Sequence, residues 1–252
     1  MGRWLPLLAL VCVLGSVGPR TAAQAREDLR AVHELAAFAT VRISTATHSG
    51  SGWLLEQSDG RPLVMTNRHI SETARRGAID LDFYQGSSAV AVTGTAHLFY
   101  QSETIDLAIF QLDADPPANA RALTIERGDV ARGERIVLAG NPGELRFQTT
   151  EGVVTGALPA TTFTSNCGAG RNCLVVDAAS FAGSSGGPAL NAGGHVVGML
   201  WGGPLSELVV GGVALPAFIQ NPAFAYLVHI RTIEDELHAW VERSRAARRR
   251  RE

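Results

Sequence analysis

"FAGSSGGPAL", residues 181–190, sets two serines among three glycines and runs on into a proline. Glycine at that density marks a backbone that bends sharply and lets another group come close. The reading of these serines decides the fold. One reading asks for a base far upstream in a β-rich chain. The other asks for an acid and a base downstream, in a parallel α/β sheet.

The chain has 252 residues, 46% of them hydrophobic and 18% charged, enough for a sizeable core in one domain or two halves. A formal net charge of −2 gives no reason to expect nucleic acid as a partner. All 22 basic residues are arginine, which excludes a Ser–Lys dyad or a Schiff-base lysine. Residues 1–25 read as an export signal: "MGR" is a positive start, Trp4 to Val17 is apolar, and "AQA" at 23–25 is a small-x-small cleavage site. Cys12 lies inside it. The apolar run is short for a membrane span, so no stable span is expected, and cleavage near Ala25 would leave a secreted or periplasmic protein. In that oxidising space Cys167 and Cys173, in "NCGAGRNC", are expected to close a small disulfide loop. Two thiols are too few ligands for structural zinc, and neither a metal nor another cofactor is expected.

Residues 26–36 place Leu29, Val32 and Ala36 on one face of a short helix. The period then changes. "ATVRIS", "GWLLE", "PLVMT", "IDLDF", "AVAVTG", "TAHLFY" and "DLAIFQL" are short apolar or alternating runs bounded by turn formers. "DADPPANAR", residues 113–121, reads as a linker, since its two prolines cannot continue a central strand. Strands resume with "RIVLAG", "TEGVVTG", "CLVVDA", "HVVGMLW" and "AYLVHI". The expected organisation is a first β-rich half over about 38–113, a second over about 121–231, and a helix over 232–247. Thr232 would cap that helix, Glu234, Asp235 and Glu236 would occupy its first turn, and Ile233, Leu237, Trp240 and Val241 would form an apolar stripe. The tail 243–252 holds six arginines and reads as a solvated end or an anionic-surface contact. Residues 204–224 are apolar and read as a hairpin or a patch for unfolded polypeptide.

A serine hydroxyl needs a nearby base, and the base an orienting group. "LVMTNRHI" places His69 at the end of a buried strand, and Asp106 opens "DLAIFQL", which is apolar on both faces. "GSSGG" also fits the G-x-S-x-G elbow of α/β-hydrolases, which requires an acid and then a histidine after the serine. The segment 186–252 offers Asp235 and His238 within one helix, and no alternating strand–helix pattern precedes it.

The order His69, Asp106, Ser185 resembles that of chymotrypsin-fold serine peptidases, and within them the bacterial HtrA/DegP-like group. "GSGWLLE…LVMTNRHI", "TIDLAIFQL", "LAGNPGELRFQTTEGVVTG", "DAASFAGSSGGPALNAGGHVVGM" and "AYLVHIRTIEDEL" each resemble a family segment, over roughly residues 38–240. The resemblance implies an all-β fold of two six-stranded antiparallel β-barrels with short N- and C-terminal helices, a peptidase domain spanning 26–242. It implies an exported serine endopeptidase with Ser185 as nucleophile, His69 as base and Asp106 as its orienting acid. Backbone N–H groups of the turn Gly183, Ser184 and Ser185 would form the oxyanion hole. Ala179, Ser180 and Phe181 would flank the primary pocket, with Leu200, Trp201 and Gly202 on its other wall. No acid sits at the pocket base, so small or aliphatic side chains are the expected preference. His229 lies on the last strand near that wall and reads as a packed or surface histidine.

Members of that group commonly carry a PDZ domain after the peptidase, and these residues leave no room for one. The oligomerisation arm is short, which leaves monomer and trimer as alternatives. Ser184 stands where digestive relatives place an aspartate that receives a new N-terminus, so signal removal is the only processing expected. The partners implied are peptides or unfolded proteins. The alternative is a non-catalytic, chaperone-like binder on the same fold.

Overall fold

The computed structural model describes residues 22–57, 60–126, 128–158, 167, 172–203, 205–210, 213–220 and 223–249, with backbone alone for 22–28, 205–210, 213–220, 244 and 247–248. The expected leader up to residue 21, the end of the arginine tail (250–252) and the side chains of 204–222 lie outside the described residues.

After helix α1 (Ala22–Ala39) the chain forms β1 (Thr40–Ser44), β2 (Ser49–Leu55), β3 (Leu63–Thr66), the one-turn α2 (Arg68–Ser71), β4 (Ala78–Tyr84), β5 (Ala91–Gln101) and β6 (Ala108–Leu112). These six strands close a barrel in the order β1-β2-β3-β6-β5-β4, every pair antiparallel. Then come β7 (Arg135–Gly140), β8 (Gln148–Leu158), β9 (Cys173–Val176), β10 (Pro188–Asn191), β11 (Val196–Gly202), the hairpin β12 (Leu205–Val210) and β13 (Val213–Gln220), β14 (Ala225–His229) and helix α3 (Ile230–Arg249). The second barrel closes as β10-β11-β14-β9-β8-β7, and β12 and β13 form a separate two-stranded sheet. Cys167 and Cys173 are disulfide-bonded.

Alternation along each strand explains three distinct cores. Val41, Ile43, Leu54, Val64, Leu81 and Phe110 fill the first barrel. Ile136, Leu138, Val176, Ala189, Val197 and Leu227 fill the second. Residues of opposite parity, among them Met65, Leu107, Ile109, Val137, Leu190 and Val228, pack into a third cluster at the seam between them, and Met199 joins it beyond the register shift between β10 and β11. Strands such as β6 are therefore apolar on both faces because both faces are covered. Leu29, Val32 and Ala36 of α1 and Ile230 and Ile233 of α3 join this seam cluster. The connection from β6 to β7 laces the barrels together, with Leu123 bridged to Leu55 and Ile125 to Val196.

Several local expectations are corrected. The first helix runs over Ala22–Ala39, beyond 26–36 in both directions. The runs expected at 89–94 and 95–100 are one strand, β5, since Gly94 is no turn but leaves space under the Phe83 ring. The short β10 begins on Pro188, tolerated at a first strand position. Helix α3 starts at Ile230, so Thr232 is not its cap but a buried residue of the first turn. The N–H of Arg231 is instead taken by Nδ1 of His229, at 3.0 Å. That bond from the second helical residue back to the residue before the helix is the N-cap arrangement. The acids 234–236 accordingly fall after the first turn.

Candidate active site

His69 sits on α2, one turn beyond the buried end of β3. Asp106 lies two residues before β6 and is 2% exposed. Its Oδ1 accepts the backbone N–H of His69 at 3.0 Å, and its Oδ2 lies 2.8 Å from His69 Nδ1. A carboxylate only accepts, so the ring proton belongs on Nδ1 and the lone pair on Nε2. Asn67 Nδ2 holds the Asp106 carbonyl at 3.0 Å. The two residues singled out 37 positions apart thus meet as a geared pair.

The turn before β10 carries Ser185. Ser184 N–H donates to the Phe181 carbonyl at 3.0 Å, and Gly187 N–H to that of Ser184 at 3.0 Å. The amide of Ser184 is therefore consumed in closing the turn, which removes it from the expected oxyanion hole. The N–H groups of Gly183 and Ser185 have no acceptor among the described residues. Gly183 has φ +96°, and a Cβ there would overlap the Asn141 carbonyl oxygen. The Ala182 carbonyl accepts the Gly143 N–H at 2.8 Å. Because the peptide is trans, the Gly183 N–H points to the opposite side.

A residue not singled out from the sequence fixes this turn. Ser51, on β2, donates its N–H to the Ser185 carbonyl (2.8 Å) and its Oγ–H to the Gly183 carbonyl (2.7 Å). The same Oγ accepts the Asn141 N–H at 2.8 Å, and the Ser51 carbonyl accepts Thr66 Oγ1–H at 2.7 Å. Asn141 Oδ1 in turn takes the Phe147 N–H at 2.9 Å. The first barrel thereby grips the backbone of the second. The only sequence signal was the serine in "GSGW", which carries no side-chain pattern of its own.

Ser185 Oγ does not bond His69; it faces the Trp201 carbonyl at 3.4 Å. That is long for O–H···O, so the hydroxyl is weakly held. The Trp201 carbonyl is presented at a bulge, where the β11–β14 register shifts between Leu200 and Gly202.

The six pocket candidates separate. Ala179, Ser180 and Leu200 line one small cavity of about 20 Å³ together with Ser184, and no charged side chain lines it. Ser180 Oγ is buried there without a hydrogen-bond partner among the described residues. Phe181 does not line this cavity: its carbonyl closes the turn and the residue is 52% exposed. The Trp201 ring packs on Tyr226 at 5.6 Å, and Gly202 is half-buried at the strand end. Among the described residues no three His, Cys, Asp or Glu side chains are placed to hold a metal ion.

Two closed barrels with a histidine–carboxylate pair on one and a glycine-turn serine on the other define a chymotrypsin-like architecture. The trypsin-like peptidase domain family matches residues 50–199, and the chain belongs to that family. It is 29% identical over 158 residues to the serine protease Do-like HtrA of Bacillus subtilis, covering 62% of this chain and 33% of that protein. It is 31% identical over 151 residues to a probable periplasmic serine protease do/HhoA-like of Haemophilus influenzae, covering 60% of this chain and 30% of the other. The chain thus spans about a third of the length of these relatives. In fold it is similar to the crystal structure of Rv3671c protease from M. tuberculosis, active form, with a TM-score of 0.61, 19% identity, and coverage of 94% of this chain and 93% of that one.

Proposed function

We propose that this chain is an exported serine endopeptidase. The observation that carries the reading is the double engagement of His69 by the buried Asp106, together with a serine turn whose Gly183 and Ser185 N–H groups have no acceptor among the described residues. For catalysis the Ser185 hydroxyl must leave the Trp201 carbonyl for His69 Nε2, a change that a switch of χ1 well would supply. His69 then takes the hydroxyl proton as Oγ attacks a peptide carbonyl. The tetrahedral oxyanion forms against the N–H groups of Gly183 and Ser185, each such donor contributing about 3 kcal/mol at the transition state. His69 returns the proton to the leaving amine, and water hydrolyses the acyl-enzyme by the same steps. Asp106 keeps the imidazole in the right tautomer and stabilises its cation.

The Cys167–Cys173 disulfide supports an oxidising, extracytoplasmic location. No helix among the described residues is long and apolar enough to cross a membrane. The uncharged cavity beside Ser184 supports activity without a liberated N-terminus, since no carboxylate there would receive an amine. Its small volume supports a preference for small side chains. Unfolded or short polypeptides are the substrate class.

The test is labelling by a fluorophosphonate probe, followed by digestion of a peptide library. Labelling of the parent and none of Ser185→Ala or His69→Ala is the expected result. The second reading, a polypeptide binder that does not cleave, is favoured by the resting contact of Ser185 with Trp201. An unlabelled parent that still binds unfolded polypeptide would replace the first reading with the second.

A further inference from the structure

A buried carboxylate that the proposed chemistry does not use sits on α3. Glu236 is 8% exposed, and its oxygens are taken by three hydroxyls from one short segment of the first barrel. Tyr100 Oη and Ser102 Oγ donate to Oε1, the latter at 2.9 Å, and Thr104 Oγ1 donates to Oε2 at 2.7 Å. Arg243, two turns further along α3, adds an ion pair at 3.3 Å. Tyr100 and Phe99 pack on Trp240 of the same helix, at ring separations of 4.7 and 5.5 Å. Burial, with the adjoining Glu236 carboxylate, pushes the Tyr100 phenol up to about 12, so it remains a donor.

That segment leads directly to Asp106. The hydroxyl oxygen of Ser102 accepts the N–H groups of Thr104 and Ile105, both at 3.1 Å, while its proton goes to Glu236. Ser102 N–H bonds the Leu107 carbonyl at 2.9 Å and closes the loop that contains Asp106. From the other side, Arg68 Nη1 holds the Ser102 carbonyl at 3.2 Å. A hydroxyl that must accept two amides can do so only while its proton is directed elsewhere, and Glu236 supplies that direction. Three donors on one carboxylate leave the turn a single arrangement.

We infer that Glu236 is a positioning residue for the His69–Asp106 pair: through Ser102 it fixes the turn that aims Asp106, so the docking of the C-terminal helix sets the alignment of the base. The inference rests on the proposed roles of His69 and Asp106, and its test reads their geometry separately from catalysis.

The Nδ1 proton of an imidazole bonded to a carboxylate gives a far-downfield proton resonance. In the whole chain this signal of His69 is expected in the parent and absent in Asp106→Asn. It should move upfield or broaden in Glu236→Ala and be partly restored in Glu236→Gln. With active sites counted by titration, kcat in Glu236→Ala should fall about 10- to 100-fold with KM within about two-fold, as for a sub-ångström to 1 Å misplacement of a catalytic group. A purely structural role would lower the number of active sites while leaving the resonance and kcat per site unchanged. Ser102→Ala removes the relay but leaves Tyr100 and Thr104 on the helix, and carries the same test if Glu236→Ala does not fold. A resonance unmoved in both Ser102→Ala and whichever Glu236 variant folds overturns the inference. A parent that no fluorophosphonate labels takes down the peptidase reading alone, because the resonance is read whether or not Ser185 reacts.

Discussion

In the first barrel the candidate site is made of side chains: His69 is held through its amide and its ring by one buried carboxylate. In the second it is made of backbone: two N–H groups without an acceptor among the described residues, a glycine at positive φ, and carbonyls gripped from across the seam by Ser51. The side-chain half is already assembled, with its hydrogen bonds short and mutually oriented. In the backbone half the scaffold is fixed while the reactive hydroxyl is loosely parked at 3.4 Å from Trp201. The contrast teaches where each half is vulnerable. Apart from the nucleophilic hydroxyl itself, polar deletions should cripple the first, and added atoms the second.

Ser185→Ala is the most severe test. Cleavage should fall on the order of 10⁶-fold, since members of a catalytic set fail as a unit, with the thermal midpoint nearly unchanged; a peptide assay together with calorimetry measures both. Gly183→Ala follows. Its methyl would meet the Asn141 carbonyl and force φ from +96°, and loss of one oriented donor predicts a fall of about 10²–10³ in kcat. If the variant labels as fast as the parent, the backbone half yields to an added methyl without losing its function. Ser51→Ala should then cost about 1–3 kcal/mol of stability, because the Asn141 N–H is left buried without an acceptor; urea unfolding reads this directly.

The smallest effect concerns acid stability. Burial opposes the charge on Glu236, but hydrogen bonds from Tyr100, Thr104 and Ser102, with Arg243, outweigh it and hold the carboxyl below its ordinary value. A depressed carboxyl contributes stability that is complete above its unfolded value of about 4.3 and fades as pH falls through the lower folded value. Urea midpoints of the parent should therefore drop more steeply below about pH 4.5 than those of Glu236→Gln. Parallel profiles would remove Glu236 from the account of acid stability.

Much of the architecture was legible because each strand of the seam must be apolar on both faces, as "DLAIFQL" is. The strand-end places of His69 and Asp106 marked them as candidates, and the resemblance to chymotrypsin-fold peptidases implied their pairing. What escaped notice did so for physical reasons. "PALN" is too short and too proline-led to announce a strand. Gly94 resembles a turn former, yet its lack of a side chain serves the Phe83 ring. By sequence Glu236 reads as an acid in the first turn of a helix. Its position three residues after the buried Ile233 and four before Trp240 puts it on the docked stripe instead. Ser184 could not be separated from its neighbours by sequence, because only the hydrogen bond to Phe181 shows which amide the turn consumes.

The lacing of the β6–β7 connection has a mechanical consequence. Leu123 donates its N–H to the Leu54 carbonyl of β2 and accepts the N–H of Glu56 just past it, while Val196 donates its N–H to the Thr124 carbonyl and accepts that of Glu126. Within four residues the strap is riveted to each barrel in turn, so shear along the joint must rupture main-chain bonds on both sides at once. Deuterium uptake at the amides of Leu123 and Val196 would therefore act as a strain gauge for the joint, slow when it is shut and quickening together whenever it slips.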